Sequence, residues 1–337
     1  SYAYHFIHMD NPKELFDMRF DVIIGNPPYQ LSDGGNGASA IPLYHKFVQT
    51  AKCLNPRFAV MIIPSRWYAG GRGLDDFRNE MICDTHFQML VDYPQSSECF
   101  PGVEIKGGVC YFLWSKDYQG DCLVRTIRKD VVSEKLRPLK EEGCDSFIRY
   151  NEAVPIVRRV RKQSSLFMDD LVSSLKPFGL RTYEKGEEKP FANAVKLYGN
   201  KAEGYVSRKE VLQNAEWIDQ YKVYISRAYG AGEDFPHQIL NAPFVGEPNT
   251  CCSETYLVVG PFASKEQTEN VVSYIKTKFF RFMVLMKKNT QDAPARVYSL
   301  VPQQDFSKPW TDEELYKKYN LTEEEIAFIE SMIRPME

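Results

Sequence analysis

The chain has 337 residues, of which 43% are apolar and 26% are charged, and its formal net charge is −3. These fractions are ordinary for a globular protein and exclude a wholly disordered, collagen-like or coiled-coil chain. No apolar run approaches the roughly 18–20 residues that span a bilayer. Because the charge is nearly balanced, any surface for nucleic acid must be local. Eight cysteines without a Cys-x-x-Cys pair favour reduced thiols in a cytoplasmic protein over a disulfide scaffold or a zinc site.

The first part of the chain alternates between short apolar runs and amphipathic segments. The apolar runs predict strands and lie at residues 20–25, 58–63, 87–91 and 109–114. Between them, apolar side chains recur at helical spacing over residues 43–54 and 74–81, as expected for helices with one buried face. Strands separated by helices predict an α/β fold with a parallel sheet and helices on both of its faces.

The pattern changes near residue 151, and the length of the chain is that of two domains. We therefore expect one domain over 1–150 and a second over 151–337. The second has short strand-like pieces, many aromatic residues and frequent Gly or Pro, which predict an α+β fold with long loops. Two helices are expected near its end, because Thr311 with Glu314 and Thr322 with Glu325 match the capping-box pattern.

The tetrapeptide Asn26-Pro27-Pro28-Tyr29 directly follows the first predicted strand. Ligands of open α/β sheets bind at the carboxyl ends of the strands, so a site is expected here. The prolines fix φ and hold a rigid turn. The side-chain carbonyl of Asn26 and the backbone carbonyl of Pro27 can accept from one amino group, while Tyr29 offers a stacking face for a planar base. The alternative is a simple Asn-Pro turn with a buried tyrosine.

The sequence FDVIIGNPPY resembles the catalytic motif of amino-group methyltransferases that use S-adenosylmethionine, in the context typical of N6-adenine DNA methyltransferases. The segments that follow resemble the same family in order. They are the strand AVMIIPSRW at 59–67, the L-x-x-F-R pattern at 74–78 and the stretch FPGVEIKGGVCYFLW at 100–114. The resemblance covers about residues 15–116. The C-terminal region is loosely similar to the target-recognition part of large restriction-modification methylases.

This resemblance implies a partial Rossmann-like methyltransferase sheet followed by an α+β target-recognition domain. It implies that Asn26, Pro27, Pro28 and Tyr29 form the catalytic loop, and that Phe100 stacks on the other face of the flipped base. Asn26 would also touch the cofactor, S-adenosylmethionine. The methyl group would pass in line to adenine N6 without a metal, and the partners would be double-stranded DNA and a fused or associated restriction subunit.

One feature of the family is missing before Asn26. The Gly-rich strand-turn of the cofactor site usually lies upstream of the tetrapeptide, and the 25 residues that precede Asn26 contain no such turn. The glycines at 70–73 and at 230–232 do not have its context. We therefore expect this chain to be a C-terminal fragment whose main cofactor contacts lie upstream. The strand near Val22 would then be an apolar edge that needs covering.

Two basic segments are candidates for contact with DNA phosphates, since Lys and Arg supply affinity without sequence information. The first is the run Arg158, Arg159, Arg161 and Lys162, and the second comprises Lys276, Lys278, Arg281, Lys287, Lys288 and Arg296. In the second segment, Val271, Val272, Ile275, Phe279 and Phe282 recur at helical spacing. The same residues therefore predict a packed helix whose cations are simply solvated.

Two other hypotheses fit the same sequence. The first of them is another enzyme, and the second is a protein without activity. RNA amino-methyltransferases and the glutamine methyltransferases that act on release factors carry similar tetrapeptides, but they generally lack some 200 residues after the catalytic sheet. The long C-terminal region therefore favours DNA. The second hypothesis is a specificity module that binds DNA and has no activity of its own, which agrees with the missing Gly-rich turn.

Overall fold

The computed structural model describes residues 7, 19–30, 41–71, 73–230, 235–288 and 290–336. It divides into two compact units, Ser1–Val154 and Pro155–Glu337. The division falls four residues after the boundary expected from the sequence.

The described part of the first unit contains one sheet of six strands and two α-helices. The strands are β1 (Val22–Gly25), β2 (Phe58–Pro64), β3 (Phe87–Tyr93), β4 (Val109–Ser115), β5 (Cys122–Arg128) and β6 (Val131–Arg137), and the helices are α1 (Tyr44–Cys53) and α2 (Asp75–Cys83). The order across the sheet is β1-β2-β4-β3-β5-β6. Each predicted strand and helix of this region is present, which confirms the α/β class.

The sheet is mixed, so the expected parallel sheet is wrong in one respect. β1 pairs with β2 in parallel, and β3 pairs with β5 in parallel. β4 lies between β2 and β3 and runs antiparallel to both, while β6 runs antiparallel to β5. Strands β1, β2, β3 and β5 therefore share one direction. The helical crossovers α1 and α2 connect β1 to β2 and β2 to β3, as in a Rossmann-like sheet.

The core of the first unit explains why these segments fold as they do. Alternate residues of β2, namely Ala59, Met61 and Ile63, are buried, as period-two side-chain geometry requires. They pack with apolar residues from both helices, including Val48 and Phe77. β1 lies at one end of the described sheet, and Ile24 is 77% exposed on it. The predicted apolar edge is thus present.

The second unit has two small sheets and several helices. β9 (Tyr221–Ser226) pairs antiparallel with β10 (Phe244–Gly246) and β12 (Tyr256–Phe262). β7 (Ala194–Tyr198) pairs with β8 (Glu203–Ser207) and with β11 (Thr250–Cys252). The helices are α3 (Ala153–Gln163), which begins two residues before the division, α4 (Lys265–Lys276), α5 (Lys278–Leu285), α6 (Asp312–Lys318) and α7 (Glu323–Met332). The predicted α+β character is confirmed.

Both predicted capping boxes are present. The Thr311 hydroxyl accepts from the backbone N–H of Glu314, whose carboxylate accepts in return from Thr311 N–H, and Thr322 and Glu325 make the same pair of bonds. By contrast, the predicted continuous helix around Val271–Phe282 is two helices, because Thr277 ends α4 and caps α5. Among the described residues, no helix is both long and apolar enough to cross a bilayer.

Candidate active site

The tetrapeptide lies at the edge of the sheet where several strands end. β1 ends at Gly25, β2 at Pro64 and β3 at Tyr93, and these three strands share one direction. Their carboxyl ends therefore meet at the same edge, with Asn26 as the first residue after β1. β4 is antiparallel to them and begins at this edge with Val109. The loop between β3 and β4, residues 94–108, accordingly starts and finishes beside the tetrapeptide.

The residues of the tetrapeptide differ in burial. Pro27 is buried and Tyr29 is half-buried, whereas Asn26 and Pro28 are exposed. The Tyr29 carbonyl accepts from the N–H of Leu43 at 3.1 Å, which ties the end of the turn to the start of α1. No described residue forms a hydrogen bond with the Asn26 side chain. The amide is thus held on a rigid backbone with its carbonyl oxygen open to a ligand.

The Tyr29 hydroxyl is buried, whereas part of its ring lines open space. It has no hydrogen-bond partner among the described residues, and the ring packs against the core of the first unit. Burial raises the pKa of Tyr29 to about 12, with smaller contributions from the nearby Cys99 and Cys110 thiols. The phenol is therefore neutral at physiological pH. A ligand in the adjoining cleft would therefore meet the surface of the ring and not a group that transfers protons.

A cleft of about 690 Å³ opens at this edge. Its lining brings the tetrapeptide together with Phe100, the residue to which the family resemblance assigns the other stacking face. The lining residues are Asn26, Pro27, Pro28, Tyr29, Gln30, Pro42, Tyr44, Pro64, Arg66, Phe100, Val103, Glu104, Ile105 and Lys106. A cleft of this size lies within the range of small-molecule sites. It offers acceptor groups, aromatic side chains and two cations to whatever enters it.

The loop that carries Phe100 is closed by its own hydrogen bonds. The hydroxyl of Ser96, a residue that is 2% exposed, donates to the Val103 carbonyl at 2.9 Å and accepts from the Ile105 N–H at 2.7 Å. The Phe100 N–H donates to the Ser96 carbonyl at 2.7 Å. Residues 96–105 are therefore held as one compact turn with Phe100 in it.

Behind the cleft lies a buried polar cluster that was not predicted from the sequence. Asp92, near the end of β3, is completely buried and accepts from the hydroxyls of Ser65 and Tyr68, each at 2.9 Å. Arg149 forms an ion pair with it, Nε lying 2.8 Å from Oδ2. A carboxylate within the apolar strand FQMLVDY is the one signal of this cluster in the sequence. Ser65 belongs to the AVMIIPSRW stretch, where nothing local indicates a buried partner.

The predicted phosphate-contacting residues fall into two groups. Arg158, Lys162, Lys276 and Arg296 are exposed. Arg281 and Lys287 are only 1% and 4% exposed. Arg281 donates to four backbone carbonyls, and the Lys287 ammonium donates to the Ser299 hydroxyl at 2.7 Å. Assigning these two residues to phosphate contact was therefore wrong, because helical spacing does not reveal which face is covered.

The remaining cations of the two basic segments make contacts inside the protein. Arg159 pairs with Glu325, and Lys278 pairs with Glu330. Arg161 lies over the Phe167 ring at 5.1 Å. Burial lowers the pKa of Lys288 to about 8. These four are less accessible to DNA than the exposed group.

The two glycine-rich segments gain no support as cofactor sites. A Cβ added at Gly70 would lie within 2.4 Å of the side chains of Arg78 and Asp75, which form an ion pair. The surroundings of Gly70 are thus already filled, whereas a Cβ added at Gly73 would meet nothing within 4 Å. Ala231 and Gly232, in the second segment, lie outside the described residues. In the described part of the chain, no three His, Cys, Asp or Glu side chains are grouped so that they would hold a metal ion.

Comparison with known proteins shows that part of the chain is similar to methylases. Residues 1–100 match the Eco57I restriction-modification methylase family. A protein of Mycoplasma pneumoniae described as an uncharacterized adenine-specific methylase is 42% identical over 186 residues, which cover 51% of this chain and 44% of that protein. The chain thus spans less than half the length of this relative.

Solved structures of restriction-modification enzymes align with the chain at low identity. The type IIG restriction endonuclease BpuSI aligns over 94% of this chain and 50% of its own, at 12% identity and a TM-score of 0.37. The type IIL restriction-modification enzyme MmeI, solved in complex with DNA, aligns over 81% of this chain and 45% of its own, at 10% identity and a TM-score of 0.45. By sequence, the chain is similar to the adenine-specific methylases of restriction-modification systems.

Proposed function

We propose that the chain carries the catalytic loop and the target-recognition region of an adenine-N6 DNA methyltransferase in a restriction-modification system. The reaction is methyl transfer from S-adenosylmethionine to an adenine flipped out of duplex DNA, and it takes place in the cytoplasm. The observation that carries this proposal is the rigid Asn-Pro-Pro-Tyr turn at the carboxyl edge of the sheet. This turn opens into one cleft that Phe100 also lines.

The exposed amide of Asn26 supports the chemistry. A carbonyl oxygen that no described residue engages is able to accept a hydrogen bond from an incoming amino group. The backbone carbonyl of Pro27 is the second acceptor. Together they withdraw the two N6 hydrogens from the plane of the adenine ring and direct the nitrogen lone pair out of conjugation. The amino group then becomes a better nucleophile, without a metal and without a covalent enzyme intermediate.

The size and lining of the cleft support binding of an extruded base. Adenine N6 is engaged in pairing inside a duplex, so the nucleotide must leave the stack, at a cost of a few kcal/mol. Stacking on aromatic side chains offsets part of that cost, at roughly 1–3 kcal/mol for each base. Tyr29 and Phe100 are the aromatic residues assigned to this stacking, while Arg66 and Lys106 are cations of the same cleft.

The described residues hold the acceptor side of the reaction and do not by themselves form a site for S-adenosylmethionine. No carboxylate directly follows β1 or β2, and Asp92 at the end of β3 is already neutralised by Arg149. The proposed methyl donor follows from the resemblance to the methylases, with Asn26 as its contact on this edge.

Two observations favour an adenine of nucleic acid over a glutamine side chain as the acceptor, and the match to a restriction-modification methylase family favours DNA over RNA. The relative from Mycoplasma pneumoniae is described as adenine-specific. The second unit also presents exposed cations at Arg158, Lys162, Lys276 and Arg296, as contact with a duplex backbone requires. A restriction subunit, fused or associated, is part of the proposal.

The test is transfer of labelled methyl from S-adenosylmethionine to mixed unmethylated duplex DNA by the natural protein and its Asn26→Ala variant. We expect the variant to lose transfer while its affinity for DNA stays largely intact, because the amide acts on the reacting nitrogen. Asn200→Ala, at another exposed asparagine, is the matched control and should transfer normally.

Three results would contradict the proposal. If Asn26→Ala kept more than about a tenth of the wild-type rate, the amide would not have the assigned role. If single-stranded RNA or a glutamine peptide competed better than duplex DNA in the same assay, the substrate would be wrong. Sequence-selective DNA binding by a natural protein that transfers no methyl group would favour the binding-module alternative.

A further inference from the structure

We propose that Arg149 is a positioning residue for the methyl-transfer cleft. Arg149 ties the 94–108 loop, and Phe100 within it, to Asp92 at the sheet edge. This inference rests on the proposed function, since the position of the loop matters to catalysis only if the cleft holds a base. Arg149 does not line the cleft itself. It acts through the backbone of the loop.

The Arg149 side chain bridges the end of β3 and the end of the loop. Its Nη2 donates to the Gly107 carbonyl at 2.6 Å and to Asp92 Oδ1 at 3.0 Å, while Nε lies 2.8 Å from Asp92 Oδ2. The guanidinium carbon lies 5.2 Å from the centre of the Tyr68 ring. The guanidinium fork therefore joins the two ends, because Nη2 bonds to both Asp92 and Gly107 while Nε makes a second contact with Asp92.

Asp92 fixes the orientation of that fork. Its carboxylate is fully buried and also accepts from the Ser65 and Tyr68 hydroxyls. A buried carboxylate requires a counter-charge, and the ion pair with Arg149 supplies it. The guanidinium consequently cannot swing away from Asp92, and Nη2 stays directed at Gly107 as well.

The end of the loop needs such an anchor, because two glycines follow one another there. Gly107 and Gly108 have φ angles of +89° and +80°, and a Cβ on Gly108 would lie 2.2 Å from the Tyr93 carbonyl oxygen. This stretch is conformationally permissive. Its two carbonyls are held from the sheet side: Gly107 by Arg149, and Gly108 by the Ser65 N–H at 3.0 Å.

The anchor reaches Phe100 because the rest of the loop moves as one body. Ser96 closes residues 96–105 through its bonds to Val103 and Ile105. A shift at Gly107 would therefore carry the whole turn, and Phe100 with it, relative to Asn26. A displacement of about 1 Å in a positioning element is enough to lower a rate by up to about a hundredfold.

The test compares Arg149→Lys with Arg137→Lys in the natural protein. A lysine at 149 keeps a charge beside Asp92, but its ammonium lies where the guanidinium carbon lies in Arg149, about 1.3 Å short of Nη2, and so does not also reach Gly107. Arg137 is the matched control: it is 2% exposed, donates to Ile148 and Asn151, and lies over the Phe147 ring. Ser96→Ala is a second variant that loosens the loop without touching a buried charge.

Hydrogen–deuterium exchange is measured first, since it does not depend on activity. We expect faster exchange across residues 94–108 in Arg149→Lys and in Ser96→Ala, and wild-type exchange there in Arg137→Lys. Unchanged exchange in this loop in Arg149→Lys would overturn the proposal, whether or not the protein is a methyltransferase. If Arg149→Lys fails to fold, Ser96→Ala still tests the argument. Unchanged exchange across residues 94–108 in Ser96→Ala would refute the claim that Ser96 holds residues 96–105 as one turn.

Kinetics then test the consequence for catalysis. Methyl transfer is compared on a duplex with a paired target adenine and on one with that adenine mismatched, where flipping costs less. We expect kcat/KM of Arg149→Lys to fall about tenfold or more on the paired target and clearly less on the mismatched one. An equal loss on both targets, shared by Arg137→Lys, would mean a general structural effect and would reject the positioning role. Absence of transfer by the wild type would reject the proposed function alone.

Discussion

At the scale of single residues, the hydroxyl and the ring of Tyr29 lie in different surroundings. Its hydroxyl is buried without a partner among the described residues, and its ring lines the cleft. An unsatisfied buried hydroxyl costs free energy and gives nothing back through bonding. In the proposed site, the part of Tyr29 that serves a substrate is therefore the aromatic surface, because a pKa raised to about 12 keeps the phenol from acting as an acid or base at neutral pH.

This division predicts different outcomes for two substitutions. Tyr29→Phe should keep methyl-transfer activity within about threefold and leave its pH profile between about 6 and 9 unchanged, because the ring remains. Tyr29→Ala should lower kcat/KM by about tenfold or more, since stacking is worth roughly 1–3 kcal/mol for each base. Steady-state kinetics with duplex DNA measure both. Equal losses in the two variants would show that the hydroxyl is needed.

The sequence reveals some residues of the site more readily than others. Asn26 to Tyr29 could be predicted because the chemistry is contiguous in the chain. Asp92 and Arg149 are 57 positions apart, and they meet only because β3 and the segment after β6 come together in the fold. Neither residue belongs to a local pattern, so only the structure reveals that they form a pair.

At the scale of elements, the junction of α4 and α5 shows how a local bond overrides periodicity. Apolar residues continue at helical spacing through Thr277, yet the chain turns there. The Thr277 hydroxyl accepts from the Phe280 N–H and donates to the Tyr274 carbonyl. The Asp312 carboxylate accepts from the N–H groups of Lys278 and Phe279. Two side chains thus cap the N-terminus of α5, which explains why a second helix begins there.

We therefore expect Thr277→Ala to lower the free energy of unfolding by about 1–2 kcal/mol, as removal of a threonine cap does. Thr277→Ser retains the hydroxyl and should lose less. Urea denaturation followed by circular dichroism compares the two variants with the wild type. A Thr277→Ala variant as stable as wild type would mean that Asp312 alone caps α5.

The strands show a different limit of prediction. β1, β2 and β3 could be placed from apolar runs, but a run of this kind carries no information about its partner. The antiparallel insertion of β4 between β2 and β3 was therefore missed. β5 and β6 were not predicted as strands, although CLVRTIR alternates buried and half-exposed residues as an amphipathic strand does.

At the scale of the whole molecule, the net charge is nearly balanced, but only some of the basic side chains are exposed enough to contact DNA. Of the ten basic residues predicted to meet DNA, Arg158, Lys162, Lys276 and Arg296 are exposed. Helical spacing correctly identified a packed apolar face in this region. It could not show that Arg281 and Lys287 belong to the covered side, because their partners, such as the Gln238 carbonyl and the Ser299 hydroxyl, lie in other segments.

The exposed pair Lys276 and Arg296 gives a test of DNA contact. Replacing both with Ala should weaken DNA binding and reduce the slope of log K against log salt concentration by about 0.9 for each phosphate that the variant no longer touches. Binding titrations at several salt concentrations measure the slope. Lys209→Ala with Lys317→Ala, at two other exposed lysines of the same unit, should leave it unchanged. Equal slopes for both double variants would place the DNA elsewhere.

Pro27 and Pro28 leave this part of the cleft with little conformational entropy to lose when a substrate binds. Their φ angles are restricted before the chain folds and before any ligand arrives. Ordering a free residue costs roughly 1–2 kcal/mol, so a loop that is already ordered leaves more of the interaction free energy for holding its ligand. If the cleft binds an extruded nucleotide as proposed, the disorder that binding removes on this side belongs to the nucleotide and not to the protein.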